Sequence, residues 1–315
     1  MTEEFSSARP AHEPEPLPES ATSEAEQVIR RGSPLRWLLR ALGGLALLAV
    51  GVGGGYLGYR QIVKQQARGA PMKHFPGAIA QIGNDTWPDE SPAHEVELAA
   101  YLLDVTEVTV HAYRICMEDG ACTEPGRHGY CNYGQEERGE DHPINCVTYD
   151  QATAFCKWAG KRLPTEKEWE HAARTASDAA GSKKVDLFPW GGTPPTVKHA
   201  NVCGAECGPF FAKRGKAVPM MHEVDDGFPV TAPVGSFAEG ATKEGLYDMA
   251  GNVWEWTKSP YCAYPDEQCG NDTDFVIRGG GYQTHQPRTL EATSREGLGR
   301  TEATETVGFR CAKDG

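Results

Sequence analysis

The chain of 315 residues has room for one large domain or two domains of moderate size. Apolar residues make up 39% of it and charged residues 24%, which is usual for a globular protein. The 31 lysines and arginines against 44 aspartates and glutamates leave a formal charge of -13, which argues against nucleic-acid binding because phosphate contacts need a basic surface.

The N-terminal part of the chain predicts a tail followed by a membrane anchor. Residues 1–29 are acidic, rich in proline and serine and without apolar periodicity, so we expect them to be disordered. A basic juxtamembrane segment, 30–40, precedes the uncharged run 41–59, which as a helix would rise roughly 28 Å and could span a bilayer. The alternative is a cleaved signal peptide, whose apolar region would be shorter and nearer the N-terminus. Residues 60–72 are then expected to form a linker.

The cysteines indicate on which side of the membrane the rest of the chain lies. All ten fall after position 115, and no C-x2-C zinc knuckle occurs among them. An even set with mixed spacing is typical of disulfides formed in an oxidising compartment. Three short-range pairs stand out, namely Cys116 with Cys122, Cys203 with Cys207 and Cys262 with Cys269. The basic residues on the two sides of the apolar run balance, so the cysteines decide: the N-terminus is cytoplasmic and the C-terminal domain is periplasmic or on the cell surface.

Few regular elements are predicted after residue 72. Residues 150–160 place apolar side chains at helical spacing, and Thr165 followed by Glu168 is a capping box that predicts the start of a second helix. Short strand-like runs occur at 275–278 and 307–310. We therefore expect an α+β domain with few helices, short strands and long loops, which disulfides or bound ions would hold in place.

Several separated motifs occur in a fixed order in this region. They are Asp104-Val-Thr-Glu107-Val-Thr109, Arg162-Leu-Pro-Thr165-Glu-Lys-Glu168-Trp169, Gly245-Leu-Tyr-Asp248-Met-Ala-Gly251-Asn-Val253-Trp-Glu255-Trp256, Arg278-Gly-Gly280 and Gly308-Phe-Arg310-Cys311. In this order the set resembles the formylglycine-generating enzyme (sulfatase-modifying factor) family over residues 73–313. The resemblance implies that family's fold, a variant of the C-type lectin fold.

The resemblance also implies two structural calcium sites and one long-range disulfide. The first site maps onto Asp248 and Glu255 with the carbonyl groups of Gly251 and Val253, and the second onto Asn201 and Asp226 with the carbonyl groups of Val202 and Phe228. Oxygen ligands of this kind suit calcium. Read without the family, the same residues could belong to ordinary turns. The family disulfide maps onto Cys156 and Cys311, which leaves Cys131 and Cys146 as a pair by elimination.

The family's oxidase converts a substrate cysteine to formylglycine with oxygen and copper(I), and two thiolates hold the metal. In this chain the two positions are Thr284 and Thr289, and the family's serine position is Gly281. Hydroxyl groups do not replace thiolates for copper(I). His285 and Trp254 do match positions of the family's pocket. We therefore expect the cleft to persist without copper and formylglycine formation to be lost.

Two other interpretations stay open. An iron site could draw on His222, His285 and Glu291, although the His-x3-His-x-Glu motif of the family's iron-dependent relatives is missing. A structural partner of another membrane protein would use the glycine-rich apolar run and the tail.

The favoured interpretation is a non-catalytic, calcium-stabilised module that binds a peptide, a glycan or an envelope component outside the cytoplasm. The candidates for aromatic residues in its cleft are Trp190, Trp254, Tyr261 and Tyr282. The alternative is an oxidase of the formylglycine-generating class, or an iron-dependent relative, with altered metal ligands.

Overall fold

A computed structural model describes residues 55–135, 138–174, 187–266, 269–270 and 272–315. The predicted tail 1–29, the basic segment 30–40 and positions 41–54 of the predicted membrane span lie outside these described residues. Within the described ranges, no helix combines the length and the apolar character that crossing a bilayer requires. The chain divides into two compact units, Met1–Tyr59 and Arg60–Gly315, and the second contains the fold described below.

Residues 55–68 are helical (α1), so most of the expected linker is a helix. The side chains of Lys64 and Arg68 both pair with the carboxylate of Asp119, and the Arg68–Asp119 distance is 3.3 Å. The Arg68 guanidinium also lies 4.5 Å above the ring of Trp158. The hydrogen bond from Lys64 is the largest of the effects that lower the pKa of Asp119. The 60–68 part of α1 therefore packs against the domain through charged contacts.

Four further α-helices in the described part of the chain are short and belong to the domain. They are α2 (Val110–Glu118), α3 (Tyr149–Trp158), α4 (Glu166–Ala173) and α5 (Cys207–Ala212). The predicted helix at 150–160 is confirmed as α3, and the capping box of Thr165 and Glu168 opens α4 as expected. A second capping box, in which Thr148 and Gln151 exchange hydrogen bonds, starts α3.

Nine short strands in the described ranges form three separate sheets. They are β1 (Met72–Phe75), β2 (Ala78–Ile82), β3 (His94–Leu98), β4 (Tyr101–Asp104), β5 (Trp254–Pro260), β6 (Asp274–Arg278), β7 (Arg295–Gly299), β8 (Val307–Gly308) and β9 (Ala312–Asp314). Their orders are β1-β4-β9, β2-β3 and β7-β6-β5-β8. All pairs are antiparallel except β5 with β8. The expected α+β fold of short strands and long loops is confirmed.

Five disulfides hold the loops together. The pairs are Cys116–Cys122, Cys131–Cys146, Cys156–Cys311, Cys203–Cys207 and Cys262–Cys269, the same five as expected from the sequence. The bridge with the largest separation, 155 residues, joins α3 to the segment that precedes β9. It lies in the main core, where Phe155, Trp256 and Phe309 are almost fully buried between α3 and the four-stranded sheet.

A buried ionic network attaches α4 to the four-stranded sheet. Arg278, at the end of β6, is fully buried, and its Nη2 lies 2.7 Å from Glu166 and 2.8 Å from Glu170. The two glycines after it have positive φ angles of 97° and 74°. A Cβ at Gly280 would lie 3.0 Å from the side chains of Leu290 and Thr284, so a glycine is needed for the chain to turn here. This turn leads directly into the predicted cleft.

Candidate functional site

The predicted cleft is a cavity of about 350 Å³ beside the Arg-Gly-Gly turn. Its lining residues are Trp254, Gly281, Gln283, Thr284, His285, Gln286, Thr289, Glu296 and Thr306. The structure therefore brings together all five cleft positions that the sequence singled out. The sequence did not single out Glu296, because this residue lies on β7 and only the folding of that strand into the sheet brings it to the cleft.

Thr284 occupies the position of the first thiolate, and its hydroxyl is already engaged. Its Oγ1 accepts a hydrogen bond of 3.0 Å from the N–H of Gly281, while its own N–H donates to the Gly281 carbonyl at 2.8 Å. Thr284 is buried within this turn, with an exposed fraction of 8%. The Thr284 carbonyl in turn accepts the N–H of Cys203 at 3.1 Å. Thr284 thus fixes the shape of the cleft wall.

The protein has no thiolate to offer a soft metal. The sequence contains 10 cysteines, and the five disulfides account for all of them. Copper(I) prefers thiolate or thioether ligands, whereas the two corresponding side chains here end in hydroxyl and methyl groups. The residues of the cleft therefore do not fit the copper ion of the family's oxidase.

Of the four aromatic residues proposed for the cleft, only Trp254 belongs to its described lining. Trp190 stacks between Phe188 and His199, with ring centroids 5.1 and 4.6 Å away. Tyr282 is 1% exposed and belongs to a buried apolar cluster, and the ring of Tyr261 lies 4.9 Å from the guanidinium of Arg295. These three side chains therefore support neighbouring segments and are not candidates for ligand contact in the cleft.

The three residues considered for iron do not form one group. His285 lines the cleft, whereas Glu291 lines a separate cavity of about 620 Å³ and His222 lies beside Gly204. Within the described ranges, two sets of three side chains have potential ligand atoms within 4.8 Å of one another: His128, Cys131 and Cys146, and Glu206, Asp225 and Asp226. Cys131 and Cys146 of the first set form a disulfide and cannot act as thiolate ligands. Of these two sets, the second is therefore the one whose side chains could all bind a metal ion.

The first predicted calcium site lies in a loop with left-handed backbone conformations. Asp248 and Asn252 have φ angles of 56° and 59°, which aspartate and asparagine tolerate better than most residues. The carboxylate of Asp248 accepts the N–H of Gly235 at 2.5 Å. Glu255 is bound by the guanidinium of Arg310 through two contacts of 2.7 Å. Both carboxylates predicted from the resemblance therefore lie in a buried, polar environment.

Glu107 adds a third carboxylate that the sequence did not assign to the site. It is 2% exposed, and neither of its oxygen atoms has a hydrogen-bond partner. Burial, followed by the charges of Asp248 and Glu255, raises the pKa of Glu107 well above its usual range, and burial raises the pKa of Asp248 to about 6. A buried carboxylate without a partner is costly, so this set fits a hard divalent cation. The available signal was a glutamate within the short Val105-Thr106-Glu107-Val108 segment, two of whose residues are β-branched apolar ones.

The second predicted calcium site contains two further unpartnered oxygens. Asn201 is 1% exposed; its Nδ2 donates to Val230 and Asn252, and its Oδ1 has no partner. Asp226 accepts the N–H of Phe228 at 2.8 Å through Oδ1, whereas its Oδ2 is buried and unpartnered. Burial raises the pKa of Asp226 to about 7. Two unsatisfied oxygens from separate loops again fit calcium.

Comparisons with known proteins identify the family of the chain. The profile of the Sulfatase-modifying factor enzyme 1-like domain family matches residues 58–315. The inactive C-alpha-formylglycine-generating enzyme 2 of Bos taurus is 35% identical over 286 residues, covering 76% of this chain and 87% of that protein. The formylglycine-generating enzyme of Bos taurus is 34% identical over 185 residues, which cover 55% of this chain and only 44% of that protein.

Comparison with solved structures shows a similar fold. The structure of PvdO from Pseudomonas aeruginosa has a TM-score of 0.57 and 24% identity, and the alignment covers 78% of this chain and 94% of that one. At this identity the likeness concerns the fold alone. Together with the sequence match, it means that the chain belongs to the sulfatase-modifying factor enzyme 1-like family, the family of the formylglycine-generating enzymes.

Proposed function

We propose that this chain is a non-catalytic, calcium-stabilised recognition domain that binds a peptide, a glycan or an envelope component in its cleft. One observation carries the proposal: threonines stand at both thiolate positions, and every cysteine of the chain is in a disulfide. The inactive C-alpha-formylglycine-generating enzyme 2 of Bos taurus aligns with this chain over 87% of its length. This similarity supports the proposal that the chain is a non-catalytic member of the same family.

The side chains of the cleft support a polar, uncharged ligand. Amide, hydroxyl and imidazole groups from Gln283, Gln286, Thr289 and His285 offer both donors and acceptors. The described lining residues include one carboxylate, that of Glu296, and neither lysine nor arginine. An anionic ligand would therefore meet repulsion without compensation, whereas hydroxyl and amide groups of a sugar or a peptide backbone would be complementary.

The proposed location is outside the cytoplasm, on a single membrane helix with a cytoplasmic N-terminus. The uncharged run 41–59 supports the helix, and five disulfides support an oxidising compartment for the domain. The two calcium ions would be structural: they would neutralise buried carboxylates and cross-link loops.

The experiment is a binding screen of the full-length protein with calcium present. A panel of envelope glycans and of cysteine-free extended peptides is tested, and each hit is titrated by calorimetry. Gln286→Ala removes an exposed amide from the cleft and should weaken the hit by about tenfold, the effect of one lost polar contact of about 1.4 kcal/mol. Gln66→Ala, the same change on the exposed side of α1, is the control. Equal effects of the two substitutions, or a panel without any hit, would contradict recognition by the cleft.

The second candidate is an oxidase with altered metal ligands. The observation in its favour is that His285 and Glu296 line the same cavity, since imidazole and carboxylate groups both bind iron. A facial triad needs a third protein ligand, and no further histidine, aspartate or glutamate belongs to the described lining of the cleft. Oxygen consumption that depends on added iron(II) and is lost in His285→Ala would favour this candidate over the first.

A further inference from the structure

An acidic group extends the second candidate calcium site beyond the residues that the resemblance supplied. The carboxylates of Glu206, Asp225 and Asp226 offer oxygen atoms within 4.8 Å of one another. Glu206 also bridges two loops, because its carboxylate accepts the N–H of Gly204 at 3.0 Å and that of Asp226 at 3.2 Å. Carboxylates this close repel one another when they are ionised, so a bound cation would stabilise the group.

An independent observation points to such a cation. The amide of Asn201 donates from Nδ2 to Val230 at 2.8 Å and to Asn252 at 3.1 Å. The planar geometry of the amide directs its Oδ1 away from those two acceptors, and this oxygen is buried and has no partner. The N–H of Met221 donates to the Cys203 carbonyl at 2.8 Å and the N–H of Ala205 to the Val224 carbonyl at 3.1 Å, which places the segment that follows Asn201 against the loop of Asp225 and Asp226.

The loop that carries Glu206 is held close to the acidic group by two local features. The Cys203–Cys207 disulfide closes a loop of 4 residues around it. Within that loop, a Cβ at Gly204 would lie only 2.6 Å from the Val224 carbonyl oxygen, so only glycine allows the two loops to come this close. The N–H of Ala205 donates to the same Val224 carbonyl at 3.1 Å.

The same loop is hydrogen-bonded to the cleft at two points. The N–H of Cys203 donates to the Thr284 carbonyl at 3.1 Å. The Asn201 carbonyl accepts the N–H of Asn252 at 2.8 Å, and the Asn252 carbonyl accepts the N–H of Tyr282 at 2.9 Å. Backbone hydrogen bonds therefore connect residues 201–203 to the cleft segment 281–284, once directly and once through Asn252.

We propose that Glu206 and Asp225 are further ligands of a calcium ion bound at Asn201 and Asp226, and that this ion sets the position of the cleft segment 281–284. Without the ion, the carboxylates repel one another and the 201–207 loop loosens. The hydrogen bond of Cys203 then no longer holds Thr284. The cleft would therefore bind its ligand only when calcium is bound. This inference rests on the recognition function proposed above for the cleft.

The test uses the full-length protein and calcium itself as the probe. Calcium affinity is measured by calorimetry in wild type, Glu206→Gln and Asp225→Asn, with Glu223→Gln as a matched control on an exposed residue of the same loop. Hydrogen–deuterium exchange of residues 201–207 and 281–284 is followed with and without calcium. Because Asp225 is exposed, its substitution tests the site even if Glu206→Gln impairs folding.

We expect Glu206→Gln and Asp225→Asn each to weaken one calcium-binding step about tenfold, equivalent to about 1.4 kcal/mol, and Glu223→Gln to leave it unchanged. Calcium should slow exchange in both segments of the wild type, and the two variants should need about tenfold more calcium for the same protection. Equal affinities in all four proteins would overturn the assignment of the ligands. Protection confined to residues 201–207 would overturn the coupling to the cleft. Since the readout needs no cleft ligand, either failure is distinct from a failure of the recognition function.

Discussion

Returning the two thiolates to the cleft tests whether it is the family's copper site with altered side chains. In the double variant Thr284→Cys, Thr289→Cys, both sulfur atoms would project from the lining of one cavity, because both threonines line it now. Soft thiolates at these positions should bind one copper(I) ion per chain, whereas the wild type should bind none with comparable affinity.

The cost in stability follows from the contacts of Thr284. Substitution removes the 3.0 Å hydrogen bond that its hydroxyl accepts from Gly281 and the burial of one methyl group. A hydrogen bond contributes about 1 kcal/mol and a buried methyl group about 0.8 kcal/mol, so we expect a loss of about 1–2 kcal/mol in the free energy of unfolding. The variant should therefore still fold.

The assay is an anaerobic titration in which the protein competes with a chromophoric copper(I) chelator. Counting free thiols first establishes that the two new cysteines are reduced, and the single variants serve as controls because one thiolate should bind copper(I) more weakly than two. A correctly folded double variant with two free thiols that binds no more copper(I) than the wild type would refute the reasoning, since the two side chains would then not converge on one ion.

Two further predictions concern stability. Replacing Cys156 and Cys311 by alanine should lower the free energy of unfolding by about 5 kcal/mol, because this disulfide joins residues 155 positions apart. Replacing Cys203 and Cys207, which are 4 positions apart, should lower it by about 2 kcal/mol. Equal losses of stability in urea denaturation would contradict the loop-entropy argument. Burial lowers the pKa of His142, so the folded state disfavours its charged form. Its stabilising contribution is present above pH 6.5 and is lost as the pH falls below that value, by up to about 1.4 kcal/mol per pH unit. A His142→Gln variant should lack this part of the pH profile, and an unchanged acid limb would contradict the prediction.

Local elements of the fold could be predicted because their signals are local. The capping box of Thr165 and Glu168 involves residues three positions apart, and α4 begins there as expected. The long bridge from Cys156 to Cys311 was available only through the resemblance, since spacing alone allows hundreds of pairings of ten cysteines. Pairing of β4 with β9 brings together Leu103 and Ala312, and no periodicity in the sequence indicates it.

The parts of the site that the sequence missed depend on long-range contacts. Glu107 stands in a motif that was recognised, yet its two unpartnered oxygens became evident only when the chain brought it near Asp248 and Glu255. Glu206 lies between Cys203 and Cys207, and in the sequence it cannot be distinguished from any other acidic residue in a loop. Arg278 belonged to one of the motifs that carry the resemblance, and the sequence did not indicate that its fully buried guanidinium binds Glu166 and Glu170 of α4.

The most direct test of the central claim is an assay for formylglycine formation. The full-length wild-type protein, with calcium bound, is incubated with copper(I), oxygen and a Cys-x-Pro-x-Arg peptide, and the aldehyde is measured by mass spectrometry. We predict no aldehyde above a control with copper alone. Aldehyde formed faster than in that control would contradict the account, because it would require metal ligands other than the thiolates that Thr284 and Thr289 replace.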